Sequence, residues 1–252
     1  NKGFMRALGA YGRALLKLDF SQIIDRTSVL FGNKQDPYDT YDFQLETQRK
    51  YGLETLYFFL LADYGVNDKN VPYYNQEFQS LIKHLGDYAQ IGIHPGFNSN
   101  SKPEKLEAEK KRLEKIIHRS VTKSRQHFLI LHLPKTYQKL IENDILEDHS
   151  MGYAAHVGFR AGTCTPYRFY DLDMETPTEL TVYPFAVMEA TLKYYMQLNP
   201  EEAKTAITEV IQKVKDVNGT FIGLWHNETL TDKGIWAGWR DVFLHMVREA
   251  KE

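Results

Sequence analysis

The sequence contains a single cysteine, Cys164, in 252 residues. An internal disulfide is therefore excluded, as is a zinc site built from several thiolates, so any metal would need His, Asp or water ligands. The clearest apolar run, residues 56–62, is far shorter than the roughly 20 residues that cross a bilayer, and we expect no membrane segment. Lys and Arg number 31 against 33 Asp and Glu, which gives no basis for nucleic-acid binding.

Several catalytic motifs are also missing. The chain has no GxSxG elbow, no phosphate-binding GxxxxGK loop and no GxGxxG, which argues against serine hydrolysis, nucleotide hydrolysis and dinucleotide binding. The DxxDxxD run of Asp36, Asp39 and Asp42 lacks the glycine and the terminal glutamate of a calcium loop, so helix capping explains it better.

Short apolar runs alternate with longer amphipathic segments along the chain, which is typical of βαβ units and a parallel sheet. We expect one α/β domain over residues 1–252. The patterns predict a poorly periodic helical stretch over 3–31, and an extended segment over 153–160. The predicted helices are 41–51, 75–85, 102–121, 134–143, 185–197, 200–216 and 238–251. The predicted strands are 56–61, 89–93, 128–131, 180–184 and 220–225.

Two histidines directly follow predicted strands. His94 comes after Ile93, and His226 comes after Trp225. Parallel barrels carry their chemistry on the loops after the strand C-termini, so this placement favours a functional role for both residues. The other histidines are better explained as ordinary surface or core residues; His84, His118 and His245 lie in predicted helices beside charged residues.

Two further segments carry candidate groups. Arg125 and His127 lie just before a predicted apolar strand and share a parity that points both to one side of an extended chain; a structural ion pair explains them equally well. Arg160 lies between Gly158 and Gly162, a setting in which the charge could bind an oxyanion or a carboxylate. Aromatic residues make up 13% of the chain, which mildly favours a carbohydrate ligand.

Four motifs occur in order: IGIHPGFNS at 91–99, SRQHFL at 124–129, GFRAGT at 158–163 and LWHN at 224–227. Together they resemble the motif series of the polysaccharide deacetylase, or NodB-homology, superfamily, and in particular its uncharacterised bacterial branch. The resemblance runs from about residue 36 to the C-terminus. It implies a distorted (β/α) barrel and a metal-dependent hydrolase that removes N- or O-acetyl groups from a polysaccharide or oligosaccharide.

The resemblance also implies roles for individual residues. Members of the family bind a divalent metal, usually zinc, through one Asp and two His, use a second Asp as base and use a late His as acid. His94 matches the first metal His, and His226 matches the acid. The second metal His is replaced by Asn98, so His127 could serve as ligand instead, while Arg125 or Arg160 would orient the base or support developing charge. The substrate-binding residues implied are Phe97, Asn98, Tyr167, Trp225 and Asn227.

The family's Asp-Asp pair has no match in the sequence, because Asp36 and Asp39 precede a predicted helix and do not end an apolar strand. We therefore expect the pair, with the first strand, to lie upstream of Asn1, in which case the chain is N-terminally truncated and lacks the base and one metal ligand. No signal peptide is visible, which slightly favours the cytoplasm. The sequence does not indicate an oligomeric state.

Two other functions remain open. Asn98 in place of a histidine would suit a catalytically inactive barrel that only binds glycan. The second open function is that of a related amide hydrolase with a non-sugar substrate. The substrate pocket is built from loops whose sequence does not reveal specificity, so this function stays open.

Overall fold

The structure, a computed structural model, describes residues 27–29 and 36–252. Of the helical stretch predicted over 3–31, only 27–29 fall in this part, and they are helical; the rest lies outside the described residues. The longer helices are α1 (Tyr41–Tyr51), α2 (Gln76–Gly86), α3 (Pro103–Ile117), α4 (Lys135–Glu142), α5 (Pro200–Asp216) and α6 (Trp239–Lys251). Each lies within three residues or so of a predicted helix.

The strands are short. They are β1 (Leu56–Phe59), β2 (Gln90–Ile93), β3 (Lys123–Ser124), β4 (Glu147–Asp148), β5 (Tyr167–Asp171), β6 (Thr176–Val182), β7 (Val187–Met188) and β8 (Gly223–Leu224). Six form a sheet in the order β1-β2-β3-β4-β6-β5, parallel except for the β5–β6 hairpin, and β7 pairs with β8 in parallel. The predicted α/β class is confirmed.

The six-stranded sheet and the β7–β8 pair belong to one curved wall, because β6 and β7 lie on a single continuous stretch of chain, residues 176–188. The backbone N–H of Tyr183 donates to the carbonyl of Asp148 in β4, and that of Ala186 donates to the carbonyl of Ile222, just before β8. This stretch is therefore hydrogen-bonded first to β4 and then to the β8 segment. Within the described residues β1 and β8 are not paired with each other, and the ladder of the barrel is left open there.

The helices cover the outer face of the wall. Ile91 and Ile93 are buried in a cluster with Leu85 and Leu113 of α2 and α3. Because side chains alternate along a strand, His94 points to the opposite, inner face. A second cluster lies under α5 and α6.

Helix α5 shows why the long helices were predictable. Its buried residues recur at helical spacing, on one face of the helix: Ala203, Ile207, Val210, Ile211 and Val214. Pro200 occupies the first turn, and Asn199 forms a reciprocal capping box with Glu202. Such a cap stabilises a helix by about 1 kcal/mol.

Three predictions of secondary structure were wrong. The helix predicted over 185–197 begins only after β7, because the backbone of residues 186–188 is bonded to the β8 segment. Residues 153–160 consist of bends in place of the predicted extended segment, and the strand predicted over 128–131 is not formed, because His127–Leu129 make a 3-10 turn. No helix in the described part of the chain is both long and apolar enough to span a membrane.

Candidate functional site

Polar side chains follow two neighbouring strand ends on the inner face of the wall. His94 directly follows β2, and Arg125 and His127 follow β3. The backbone N–H of Arg125 donates to the Ile93 carbonyl, and the His94 and His127 rings have centroids 5.0 Å apart. Parallel strands end at a common edge, so residues 31 or more positions apart in sequence meet there.

The predicted strand over 128–131, which would have placed Arg125 and His127 before a strand, was wrong. The strand is β3, and it ends at Ser124, before both residues. Phe128 and Leu129 have positive φ angles of 58° and 55°, which an extended chain does not adopt, and His127–Leu129 form a single 3-10 turn. The correction moves both candidate residues to the strand end, where chemistry is expected.

The His94 imidazole has one nitrogen committed to the backbone. Its Nδ1 lies 2.5 Å from the carbonyl oxygen of Arg125, which can only accept, so Nδ1 carries the proton and Nε2 keeps its lone pair. Burial, followed by repulsion from His127, lowers the pKa of His94 to about 3. His94 is therefore a neutral imidazole at physiological pH, the form that binds metals.

His127 is held in the same manner by a carboxylate that the sequence analysis missed. Its Nδ1 donates to Oδ1 of Asp68 at 2.8 Å, and Asp68 is only 1% exposed. The same oxygen accepts the backbone N–H of Phe97 at 2.9 Å. Asp68 lies in a polar loop after β1, with no period or motif to distinguish it from its neighbours.

A second buried carboxylate, Glu109 of α3, supports the turn that follows His94. Its Oε2 accepts the backbone N–H of Gly96 at 2.8 Å. Only glycine fits at position 96, because a Cβ there would lie 2.5 Å from the Ala62 Cβ and 3.1 Å from Oδ2 of Asp68. Burial raises the pKa of Glu109 to about 7.

This burial predicts a pH-dependent stability. Between pH 4.5 and 7 the folded state keeps a proton on Glu109 that the unfolded state loses, so the contribution of Glu109 to stability falls as pH rises through this window. We expect the wild type to gain on the order of 2 kcal/mol relative to Glu109→Gln when urea unfolding is moved from pH 7.5 to pH 5. The exposed Glu104, on the same helix, provides the control Glu104→Gln, which should show no such change. A flat difference for Glu109→Gln would contradict the assignment.

His226 forms a pair with another buried carboxylate. Glu189 directly follows β7, is 0% exposed, and accepts both the Nδ1 proton of His226 at 2.5 Å and its backbone N–H at 3.1 Å through Oε1. Attraction to Glu189, opposed by burial, raises the pKa of His226. The His226 side chain is itself 49% exposed, so an oriented imidazole whose protonated form Glu189 favours faces the solvent side of the site. In the sequence Glu189 lies within the helix predicted over 185–197, and no local pattern points to its pairing with His226.

Arg125 provides a partly buried cation next to His94. Its Nε donates to the His149 carbonyl at 3.0 Å, and its guanidinium lies 4.6 Å from the Phe58 ring centroid. No ion pair joins it to a carboxylate within the described residues. Burial lowers its pKa to about 10, which leaves it charged at pH 7 and available to stabilise a negative charge.

Arg160 has a different setting. Its Nη1 donates to the backbone carbonyls of Leu129 and Gly152, at 3.3 Å each. These bonds brace the turn that carries His127. Gly158 and Gly162 adopt φ angles of 116° and 71°, so both glycines are explained by backbone conformation.

The five predicted substrate-binding residues divide by location. Phe97 and Asn98 are exposed on a 3-10 turn beside His94, and Asn227 lines the cavity described below while its Nδ2 donates to the Tyr38 carbonyl. Trp225 is turned toward the core, with its ring 5.3 Å from that of Phe243. Tyr167 begins β5 and packs against the core between the sheet and helices.

A cavity of about 490 Å³ brings the two halves of the site together. It is lined by His127 and Phe128 from the β3 loop, by His226 and Asn227 from the β8 loop, and by Leu60 from the end of β1. His127 and His226 therefore face a common space of the size that holds a small ligand. His94 adjoins His127, and Glu189 is hydrogen-bonded to His226.

The described residues offer an incomplete metal site. Residues 27–29 and 36–252 contain no group of three or more His, Cys, Asp or Glu side chains placed to hold a metal ion. A catalytic zinc ordinarily has three protein ligands, so the predicted ligands His94 and His127 do not complete such a site by themselves. Both imidazoles nevertheless have the second hydrogen bond, to a carbonyl or a carboxylate, that orients metal-binding histidines.

No family model matches the sequence, and no curated protein matches it. The structure is similar to that of an assigned polysaccharide deacetylase from Mycobacterium smegmatis, with a TM-score of 0.58 and 12% identity over 96% of this chain and 79% of that one. A second solved structure, assigned to the same class in Pseudomonas aeruginosa PAO1, matches with a TM-score of 0.46 and 14% identity over 83% of this chain and 73% of that one. The first of these confirms the fold expected from the four motifs, a (β/α) barrel of the polysaccharide deacetylase type.

Proposed function

We propose that the protein is a hydrolase that removes N- or O-acetyl groups from a polysaccharide or oligosaccharide. The observation that carries the proposal is the cavity, which His226, hydrogen-bonded to Glu189, shares with His127, the neighbour of His94. The fold, shared with an assigned polysaccharide deacetylase, supports the choice of reaction.

The reaction consumes water and releases acetate and a free amine or hydroxyl group. His226 donates the proton that the departing nitrogen or oxygen requires, because Glu189 favours the imidazolium and fixes Nδ1, which leaves the Nε2 proton for transfer. Arg125 stabilises the negative charge that develops on the acyl oxygen, and burial strengthens that interaction. Arg160 holds the His127 turn in place through Leu129.

The proposal includes a divalent metal, in particular zinc, for which His94 and His127 would be ligands. These donors suit a zinc ion, because in each imidazole the hydrogen bond to the protein is made by Nδ1 and not by Nε2. Such an ion, when bound, lowers the pKa of water and polarises a carbonyl group. Asp68 keeps the His127 ring in the ligating orientation.

A glycan-binding barrel without catalytic activity is the second candidate. It is favoured by the exposed Asn98 in place of a histidine and by the lack of a third metal ligand within the described residues. The same proton donor, His226, and the same cation, Arg125, would also suit the hydrolysis of a non-sugar amide.

Acetate release and metal content separate these functions. Purified protein, with and without added zinc, would be incubated with N-acetylglucosamine oligomers, an O-acetylated xylooligosaccharide and a small aryl acetamide. The proposal predicts acetate from an acetylated sugar and about one divalent ion per chain by elemental mass spectrometry. Sugar binding without acetate or metal would favour the glycan-binding barrel, and hydrolysis of the aryl acetamide alone would favour the non-sugar hydrolase.

A further inference from the structure

Phe128 is an exposed aromatic residue in a strained backbone conformation. Its ring is 57% exposed and its φ is 58°, a value that bulky side chains rarely adopt. Leu129 also has a positive φ, of 55°. Strained residues persist where the surrounding structure enforces them, and they are concentrated at functional sites.

The neighbouring residues explain how the turn is enforced. Leu129 is buried in a cluster with Phe185, Met188 and Leu224, and its N–H donates to the Gln126 carbonyl at 3.0 Å. Since Leu129 turns into this cluster, Phe128 is left on the outer side of the turn. Stability alone would favour glycine at position 128, so the aromatic side chain needs another reason.

The Phe128 ring extends an aromatic surface that starts at the catalytic loops. Its centroid lies 4.3 Å from the His127 ring, with 35° between the ring planes, and 5.8 Å from the Phe97 ring, which it meets edge to face at 88°. Phe128 lines the cavity that also contains His127 and His226. A flat apolar surface therefore lies directly beside the proposed reaction centre.

Polar groups lie around the same cavity. Asn67, Asn227 and Glu228 contribute to its lining, along with the apolar side chain of Val66. A pyranose ring has the complementary pattern, an apolar face of C–H groups surrounded by hydroxyl groups that pair with amides and carboxylates. An aliphatic chain would leave those polar groups without partners.

We propose that Phe128, supported by Phe97, is the platform on which a sugar ring of the substrate stacks, with Asn67, Asn227 and Glu228 bonding its hydroxyl groups. The proposal rests on the proposed function for the identity of the substrate, and it assigns a binding subsite beyond the reacting groups. Stacking of one ring on an aromatic face contributes about a three- to tenfold change in affinity.

The test measures binding without turnover. The probe is the tetramer of N-acetylglucosamine, titrated calorimetrically into a His226→Gln background and into the same background with Phe128→Gly, Phe128→Tyr or Leu172→Ala. Glycine relieves the positive φ, so we expect Phe128→Gly to melt at the same temperature as its parent or higher while its Kd rises about five- to tenfold. Phe128→Tyr should retain the parental Kd. Leu172, exposed on the β5–β6 hairpin, is the surface control and should also leave the Kd unchanged.

Either of two results would overturn the platform: an unchanged Kd in Phe128→Gly, or no binding of the tetramer by the parent. A loss of binding that Phe128→Tyr shares, together with a lower melting temperature, would also reject it in favour of a purely structural role. Failure of the proposed function is seen separately, since a wild type that releases no acetate can still bind the tetramer in a Phe128-dependent manner.

Discussion

Replacing His226 by glutamine is expected to lower kcat for acetyl release by about 10²–10⁴-fold, the usual contribution of a positioned acid. Glutamine cannot donate a proton to the departing amine, while the cavity and the other strand-end groups stay in place. The measurement is steady-state acetate release from N-acetylglucosamine oligomers. The matched control is His84→Gln, because His84 is an exposed histidine on α2, one of the helices on the outer face of the sheet. Activity within twofold of wild type would remove His226 from the reaction.

The substitution Glu189→Gln distinguishes a positioning role of Glu189, exerted through the pKa of His226, from a purely structural role. The amide keeps a hydrogen-bond acceptor next to His226 but removes the charge that raises the pKa of its imidazole. Because the protonated form of His226 is the active one, activity is lost as pH rises through that pKa. We therefore expect the alkaline limb of the kcat profile to move to lower pH in Glu189→Gln. An equal loss of kcat at every pH, with no shift of the limb, would indicate a structural role only.

Replacing His127 by alanine is expected to abolish stoichiometric zinc binding, and acetate release with it. His127 and His94 are neighbouring imidazoles, with ring centroids 5.0 Å apart and each Nδ1 engaged in a hydrogen bond, so removing one leaves a single histidine at the proposed metal position. Asp68→Asn should have a graded effect, a zinc affinity about 10–100-fold weaker, since Asp68 orients His127 without binding the ion. Competition with a chromogenic chelator measures both affinities.

The control for the zinc experiment is His245→Gln. His245 bonds Thr208 between α5 and α6, apart from the strand-end loops, and its loss should leave zinc binding unchanged. The ligand assignment would be contradicted by a His127→Ala protein that retains the wild-type zinc affinity.

The long elements were predictable because their signals are local. Helix α5 has a period, a proline at its start and a capping box, all within its own residues. The strand that ends at His94 was found for the same reason, as an apolar run interrupted by His-Pro-Gly. These two kinds of local signal are sufficient to predict the α/β class and to select His94 and His226 as candidate residues.

The carboxylates were not predictable from local patterns. Asp68 meets His127 across 59 positions in sequence, and Glu189 meets His226 across 37, and neither carboxylate has a neighbouring motif. The two-residue strands β3, β4 and β7 are too short to show a period, and their positions depend on pairing with neighbours. Phe128 and Leu129 are apolar residues, which predicts a strand, whereas their positive φ angles follow from tertiary packing.

The central claim is that His94, His127 and His226 act together around one substrate. A crystal structure with zinc and acetate, with the metal located by anomalous scattering at the zinc edge, tests it most directly. We expect an anomalous peak about 2.0–2.1 Å from Nε2 of both His94 and His127, with acetate between the metal and His226. A peak bound elsewhere, or acetate outside the cavity shared by His127 and His226, would contradict it.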